Sequence, residues 1–264
     1  MKIQAILVEK VIKVSHKQEI RKKMINILPH SIKIKIKKNR ILHTIYQLVL
    51  ELKNLVSPLK SYSQFGEDAV LISILKLYGF NQHEKGFFID IGAGHPIRGS
   101  NTYALYRLGW EGICVDAISY NIKLHKFFRR RDVALHAFVG QERIVNFWEF
   151  NPYEYSTADN KIAKDLIKNN VPLLAEYKLN AIPLNNIARM NKNEKYGCTF
   201  LSIDAEGFDF EILQTNDWDQ FRPKFICVEV VNNLSTINSL LSHLGYQIAA
   251  KTHVSEIWVD LKNK

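Results

Sequence analysis

Phe87-Phe88-Ile89-Asp90-Ile91-Gly92-Ala93-Gly94 is an apolar run that passes directly into a pair of glycines. Bulky apolar residues in unbroken succession, preceded by Gly86, read as a strand buried on both faces, expected over Gly86 to Ile91. Gly92 and Gly94 have no Cβ, so the chain can bend sharply there and a ligand can approach its backbone closely. In open α/β sheets such a loop at the carboxyl end of a parallel strand lines the ligand crevice.

Outward from this loop the pattern is strand–helix alternation, the signature of a mostly parallel sheet with helices on both faces. Upstream, Val70, Leu71, Ile74, Leu75 and Tyr78 recur at helical spacing, giving a helix over Phe65 to Tyr78 closed by Gly79. Downstream, Ser100 is placed to cap a helix running to Gly109, and Gly112 to Ala117 reads as the second strand. A third strand is expected over Val133 to Val139, with an extension at Arg143 to Phe150. Asn151 to Asn193 is polar and poorly periodic, apart from a helix near Asp159 to Asn169. Thr199 to Asp204 and Lys224 to Val230 read as neighbouring strands. A helix over Ile237 to Leu244 then precedes two last strands, Tyr246 to Ala250 and Glu256 to Leu261.

A strand, a glycine loop and a later acid can serve a dinucleotide or S-adenosylmethionine. Ile97 stands where the dinucleotide fingerprint needs its third glycine. His95-Pro96-Ile97-Arg98-Gly99 lengthens the loop and moves the next helix away from where a pyrophosphate would sit. Asp116 ends the second strand 24 residues past Gly92, where a carboxylate can accept hydrogen bonds from both ribose hydroxyls. S-adenosylmethionine has the ribose and no phosphate, so it suits the pattern better.

Leu201-Ser202-Ile203-Asp204-Ala205-Glu206-Gly207 repeats the design one strand further on. Asp204 is expected at the strand's carboxyl end and Glu206 at the start of the next helix, with Glu229 ending the neighbouring strand. These carboxylates can hold an ammonium, orient an acceptor hydroxyl, act as general base or ligate a divalent cation, although no ligand spacing specifies a metal. The alternative role for Glu206 is simple complementation of a helix dipole. His95 lies on the glycine loop and, as a neutral imidazole, could take the proton of an attacking hydroxyl; a hydrogen-bonding spacer is the alternative role.

At these residues the sequence resembles the FkbM family of S-adenosylmethionine-dependent methyltransferases. The matching blocks are Ser61-Tyr62-Ser63-Gln64-Phe65-Gly66-Glu67-Asp68, Phe88 to Pro96, Ser100-Asn101-Thr102-Tyr103, Phe200 to Gly207, Asn216-Asp217-Trp218 and Arg222-Pro223-Lys224. The resemblance implies a Rossmann-like class I α/β fold: a seven-stranded, mostly parallel sheet with an antiparallel last strand and helices on both faces. It implies methyl transfer, usually to a hydroxyl oxygen, in glycan or natural-product tailoring. It also assigns Asp90, Gly92 and Gly94 to the methionine end of the cofactor and Asp116 to its ribose. Gln64 and Asn101 join the cofactor contacts, and Asp204 and Glu206 lie near the reacting centre. Ala117-Ile118-Ser119-Tyr120 replaces the Asn-Pro pair often found after the ribose acid, so the adenine contacts are not carried over.

Charge divides the chain at about residue 60. Residues 1–60 hold 14 of the 36 Lys+Arg and 3 of the 26 Asp+Glu, a balance of +11; residues 61–264 balance at −1. The body therefore offers no excess charge to a phosphate backbone, and it lacks the Asp/Asn-Pro-Pro-Tyr/Phe signature of base-amine methylation. A nucleic-acid partner is not expected; a small-molecule or glycan acceptor is. In the leader, Ile32 to Lys37 alternates like a strand, and Ile41, Ile45, Leu48, Leu52 and Leu55 trace an amphipathic helix. That helix can pack on the body, pair with a second copy or rest on an anionic membrane surface. Neither a signal peptide nor a membrane span is expected. Three unclustered cysteines point to no disulfide framework or zinc site. The expectation is a cytoplasmic enzyme, peripheral to the inner membrane surface if the leader binds there. Two other functions use the same residues: a nicotinamide-dependent sugar oxidoreductase, opposed by the missing glycine, and a non-catalytic adaptor, opposed by the intact loop and acids.

Overall fold

The computed structural model describes residues 61–80, 84–191, 198–230 and 234–262, so both leader elements expected from the sequence lie outside the described residues. Helix α1 spans Glu67–Leu77 and begins after Gly66, whose backbone is left-handed. Its Val70, Leu71, Ile74 and Leu75 are buried. Gly79, at φ 88°, ends the run, and the Phe80 amide donates back to the Leu75 carbonyl at 2.9 Å.

Strands β1 (Phe87–Ile91), β2 (Glu111–Asp116) and β3 (Val133–His136) pair in parallel on one side of the molecule. The short helix α2 (Tyr103–Arg107) and the longer α3 (Ser119–Phe128) connect them. The main sheet also contains β7 (Cys198–Ile203), β8 (Phe225–Glu229), β9 (Tyr246–Lys251) and β10 (Ser255–Asp260), in the order β3-β2-β1-β7-β8-β10-β9. The last strand, β10, runs antiparallel to both of its neighbours. This is the expected seven-stranded class I arrangement. The chain runs outward from β1 in one direction and later from β7 in the other, so the crevice falls beyond the carboxyl ends of these two strands.

Alternate residues of the central strands feed two cores. Phe87, Ile89 and Ile91, with Leu201, Ile203, Ile226 and Val228, face helices α5 (Leu184–Ala188), α6 (Asp209–Gln214) and α7 (Leu234–His243). Phe88, Cys114, Phe200, Phe225 and Cys227 face α1 and α2. Asp90 points to this second side, toward Thr102, Ser202 and Arg129.

Three sequence expectations need correction. The third strand divides near Ala137: β3 stays in the main sheet, while β4 (Phe138–Val139) pairs with β6 (Leu173–Ile182) in a second sheet. The Ala137 amide donates to the Asp116 carbonyl at 3.1 Å, which fixes the pivot. The polar stretch after Asn151 contains not only helix α4 (Asn160–Lys168) but also β6, a ten-residue strand antiparallel to β5 (Ile144–Phe150). Its alternation of Ala175, Tyr177, Leu179 and Ala181 was the available signal. Finally, the helix after β7 begins at Asp209, so Glu206 lies in the preceding turn and not in the helix's first turn.

Candidate active site at the strand ends

The glycine loop is fastened to both neighbouring strands. The Gly92 and Ala93 amides both donate to the Val115 carbonyl at 3.0 Å, and the Asp204 amide donates to the Ile91 carbonyl at 3.0 Å. Gly92 has φ 70°, and a Cβ there would stand 1.8 Å from the Asp204 carbonyl oxygen. Only glycine allows β7 to approach this closely. Gly94 is also left-handed, at φ 54°, but a Cβ there would only touch the Tyr153 hydroxyl at 3.7 Å.

Asp116 braces this loop. Its Oδ2 accepts from the Gly94 amide at 2.8 Å and the Asn121 amide group at 3.3 Å; its Oδ1 accepts from the Ile118 amide at 2.6 Å. Burial raises its pKa to about 6, against the lowering effect of those hydrogen bonds. A carboxylate accepts about four hydrogen bonds, so room remains on Oδ1 for one more donor, where the sequence suggested two ribose hydroxyls. Tyr177, from β6, donates to the Ala117 carbonyl at 2.9 Å and closes the far side of this turn. Sequence reasoning missed Tyr177 and Tyr153 because β6 and the 3-10 turn Tyr153–Tyr155 lie in the stretch read as polar and poorly periodic.

His95 is 4% exposed, and its Nδ1 accepts from the Ile97 and Arg98 amides at 3.1 and 3.2 Å. Burial, with repulsion from Arg98 and His125, lowers its pKa to about 3. The ring is therefore neutral with its proton on Nε2, and the lone pair a base would use already shapes the loop. This is spacer geometry. His125 supports the same loop through Nε2 and the Gly94 carbonyl, 3.2 Å apart.

Asp90 accepts from the Thr102 hydroxyl at 2.5 Å. Burial raises its pKa, opposed first by the nearby Arg129 charge. Arg129 is fully buried: Nε donates to Asp132 at 2.7 Å, and its two Nη atoms reach Ser100 and Thr102 at 3.3 and 3.0 Å. Its guanidinium also lies 5.3 Å from the centroids of both Phe88 and Tyr106. Sequence reasoning gave no notice of this residue, which sits in an ordinary-looking basic run. Ser100 has the cap-like role expected of it, accepting from the Thr102 and Tyr103 amides at 3.3 and 3.1 Å, although Thr102 is the residue at the helix boundary. Asn101 donates to the Ser202 hydroxyl at 3.3 Å and ties the α2 entrance to β7.

Carboxylates gather at the ends of β7 and β8. Burial raises the pKa of Asp204 well above the usual range, reinforced by Glu229, Asp209, Asp90 and Glu67. Glu229 is raised to about 7 by burial and by Asp209, Glu206 and Glu67. Glu206 also rises to about 7, through desolvation and the charges of Asp204, Asp209 and Glu154, although its side chain reaches solvent. Its φ of 51° places a non-glycine residue in the left-handed region, at a cost of about 1–2 kcal/mol. Asp209 holds that turn, accepting from the Ala205 and Gly207 amides at 3.0 and 3.2 Å. Glu67, from α1, accepts from the Thr252 hydroxyl at 2.8 Å.

Asp68 is structural: it accepts from Ser61, Ser63 and the Tyr62 and Ala69 amides at 2.6–2.9 Å. Gln64 is exposed in the turn that Asp68 fixes. Among the described residues, no three His, Cys, Asp or Glu side chains are arranged to hold a metal ion. None of the described helices is long and apolar enough to cross a membrane.

A family model described as the methyltransferase FkbM domain matches residues 90–248. The chain is similar in structure to methyltransferase FkbM from Methylobacillus flagellatus KT, with 14% identity and a TM-score of 0.43. That match covers 68% of this chain and 44% of the other, so the chain spans less than half that protein's length. It is similar to an O-methyltransferase from Bacillus cereus in complex with SAH, at 12% identity and TM-score 0.38, covering 86% of this chain and 96% of that one. A third similarity is to a fibrillarin/Nop5p complex, at 11% identity and TM-score 0.35, covering 77% and 88%. No curated protein matches the chain.

Proposed function

We propose, from the premise that the chain belongs to the FkbM methyltransferase domain family, that it transfers a methyl group to a hydroxyl oxygen of a sugar or another small acceptor. Family membership carries the coarse activity, methyl transfer from S-adenosylmethionine. The hydroxyl acceptor, the glycan or natural-product context and the residue roles are our reading.

The observation that carries it is the company of the glycine loop. Burial first, and then neighbouring charges that are all carboxylates, raise the pKa of Asp204, Glu206 and Glu229 at the ends of β7 and β8. Such a pocket end repels phosphate and favours a ligand with an ammonium and a sulfonium, so the donor set fits S-adenosylmethionine better than a dinucleotide. Gly92 and Gly94 would meet its methionine portion, Asp204 and Glu229 its ammonium, and the remaining lone pair of Asp116 its ribose. When bound, the cofactor supplies an already electrophilic methyl group. The protein's own work is alignment, exclusion of water and removal of the acceptor's proton.

Glu206 is our candidate base. A carboxylate with pKa about 7 is half ionised at neutral pH and strong enough to take a proton as the hydroxyl attacks. Asp209 positions it by holding the turn. His95 and Asn101 act on the loop and the α2 entrance.

Calorimetry with S-adenosylmethionine, S-adenosylhomocysteine and NAD tests the cofactor reading. Both adenosyl ligands should bind; binding of NAD alone would instead support the oxidoreductase, and binding of none the adaptor.

A further inference from the structure

The surface around the end of α3 is unlike the rest of the body. From Lys123 to Val133 the chain carries Lys123, Lys126, Arg129, Arg130 and Arg131 against one acid, Asp132. Arg129 and Asp132 neutralise each other in the interior, where both side chains are fully buried. The other four cations are exposed, on a body whose overall balance is −1.

Phe127 belongs to the same run and is 64% exposed, as is Val133 at 51%. Its ring meets Phe128 edge-on, with centroids 4.9 Å apart. The inner side of α3 is filled by Asn121, Ile122 and His125, so Phe127 is not needed for its packing. Arg131 lies 3.9 Å above the Tyr106 ring and donates to the Tyr106 carbonyl, which holds one of the cations in place.

A solvated cationic face needs no aromatic ring at its centre. Cations surrounding an exposed ring and aliphatic side chains match the headgroup region of an anionic bilayer. There the ring sits at the interface while ammonium and guanidinium groups meet phosphate. The rings here offer no row of open faces, since Phe127 and Phe128 meet edge-on and Arg131 covers Tyr106, and this favours lipid over a nucleic-acid strand. The leader, with its balance of +11, joins the body at Ser61, next to this side of the molecule: Tyr62 packs on Tyr103 at 4.8 Å and accepts from Arg107.

We propose that this face docks the protein on a membrane surface bearing anionic lipids, with Phe127 entering the interface and Lys123, Lys126, Arg130 and Arg131 on the headgroup phosphates. α3 leaves the crevice at Ser119 and ends where the chain enters β3, at the opposite end of the strands. Docking there leaves the mouth of the crevice open. The inference rests on surface chemistry alone and does not depend on which acceptor is methylated.

The experiment uses the full chain with phosphatidylcholine vesicles, with and without phosphatidylglycerol. Because the leader is also basic, sedimentation is combined with hydrogen exchange, which locates the contact. Anionic vesicles should slow exchange over residues 123–133, and neutral vesicles should not. Phe127→Ser and the double variant Lys126→Glu/Arg130→Glu change only exposed side chains and should keep the wild-type Tm. Each cation near an anionic surface strengthens binding by a factor of about five, so the double reversal should weaken partition by at least about tenfold. Wild-type partition by both variants with unchanged exchange would overturn the proposal. So would slowed exchange with a short RNA but not with vesicles.

Discussion

Gly92→Ala and Gly94→Ala are the same chemical change two residues apart, both at left-handed backbone, yet they should differ widely in effect. An alanine in that conformation costs about 1–2 kcal/mol, and for Gly94 that is nearly the whole penalty, because the new Cβ only touches the Tyr153 hydroxyl at 3.7 Å. At Gly92 the Cβ would lie 1.8 Å from the Asp204 carbonyl oxygen and 2.8 Å from its carbon, both backbone atoms that no rotamer change can move. Relief requires β7 to separate from β1 at its carboxyl end. That strains the Asp204 amide bond to the Ile91 carbonyl, and losing one buried amide bond costs about 1–3 kcal/mol. With further strain in the Gly92 and Ala93 amide bonds to Val115, Gly92→Ala should cost about 3–6 kcal/mol in total. Domains are stable by only about 5–15 kcal/mol, so this is a large fraction. At about 2–4 °C per kcal/mol, Gly94→Ala should lower Tm by about 2–8 °C and Gly92→Ala by about 6–24 °C. Urea denaturation of the two variants alongside wild type measures the difference. Gly94→Ala should also weaken S-adenosylmethionine binding by more than its stability loss suggests, since a Cβ there intrudes on the proposed methionine contact. Equal destabilisation within about 1 kcal/mol would refute the reasoning, because it would mean that β7 yields freely.

Arg129→Met should destabilise by about 3–5 kcal/mol, since it leaves Asp132 and Asp90 buried without their cation; Arg129→Lys should recover part of that but not the bonds to Ser100 and Thr102. Denaturant midpoints test both, and a loss below about 0.5 kcal/mol for Met would remove Arg129 from its structural role. Glu206→Gln should cut the methyl-transfer rate by about 10²-fold and abolish the rise of rate with pH centred near 7, while leaving cofactor affinity within a few fold. A retained pH profile would assign the base elsewhere. Stability without cofactor should respond to pH through two opposed groups. Glu206 and Glu229 have folded pKa values near 7 against 4.5, so the folded state binds more protons and stability falls as pH rises from about 4.5 to about 7. His95 and His125 have folded values near 3 against 6.5, so their contribution is complete above about 6.5 and is lost as pH falls toward 3. Glu229→Gln should therefore raise Tm at pH 8 and leave it unchanged near pH 4; the same change at both would contradict the assignment.

The sequence alone was enough for the strand Phe87 to Ile91, its glycine turn and the positions of Asp116 and Asp204 at strand ends. The information is local: a run of bulky apolar side chains needs burial on both faces, and a residue without a Cβ is what allows the turn. The resemblance carried by these blocks implied the seven-stranded sheet with its antiparallel last strand, and the strand pairing bears it out. The polar stretch after Asn151 was misjudged because β6 is half solvated, with lysine and glutamate on its outer side hiding a period-two pattern. Glu206 was placed in a helix because its neighbours are compatible with one; the turn that holds it instead depends on Asp209 accepting two amides.

Other features existed only once the chain had packed. Nothing around His95 marks its lone pair as already used, and nothing in Phe128-Arg129-Arg130-Arg131 distinguishes the buried arginine from the exposed ones. Glu67, Asp204, Asp209 and Glu229 are separated by up to 162 positions, and their mutual repulsion arises from convergence in a region of low dielectric. Sequence supplied the groups and the turns that present them. Tertiary structure decided which are desolvated and which face one another, because pKa and hydrogen-bond satisfaction depend on the surroundings in space and not on position along the chain.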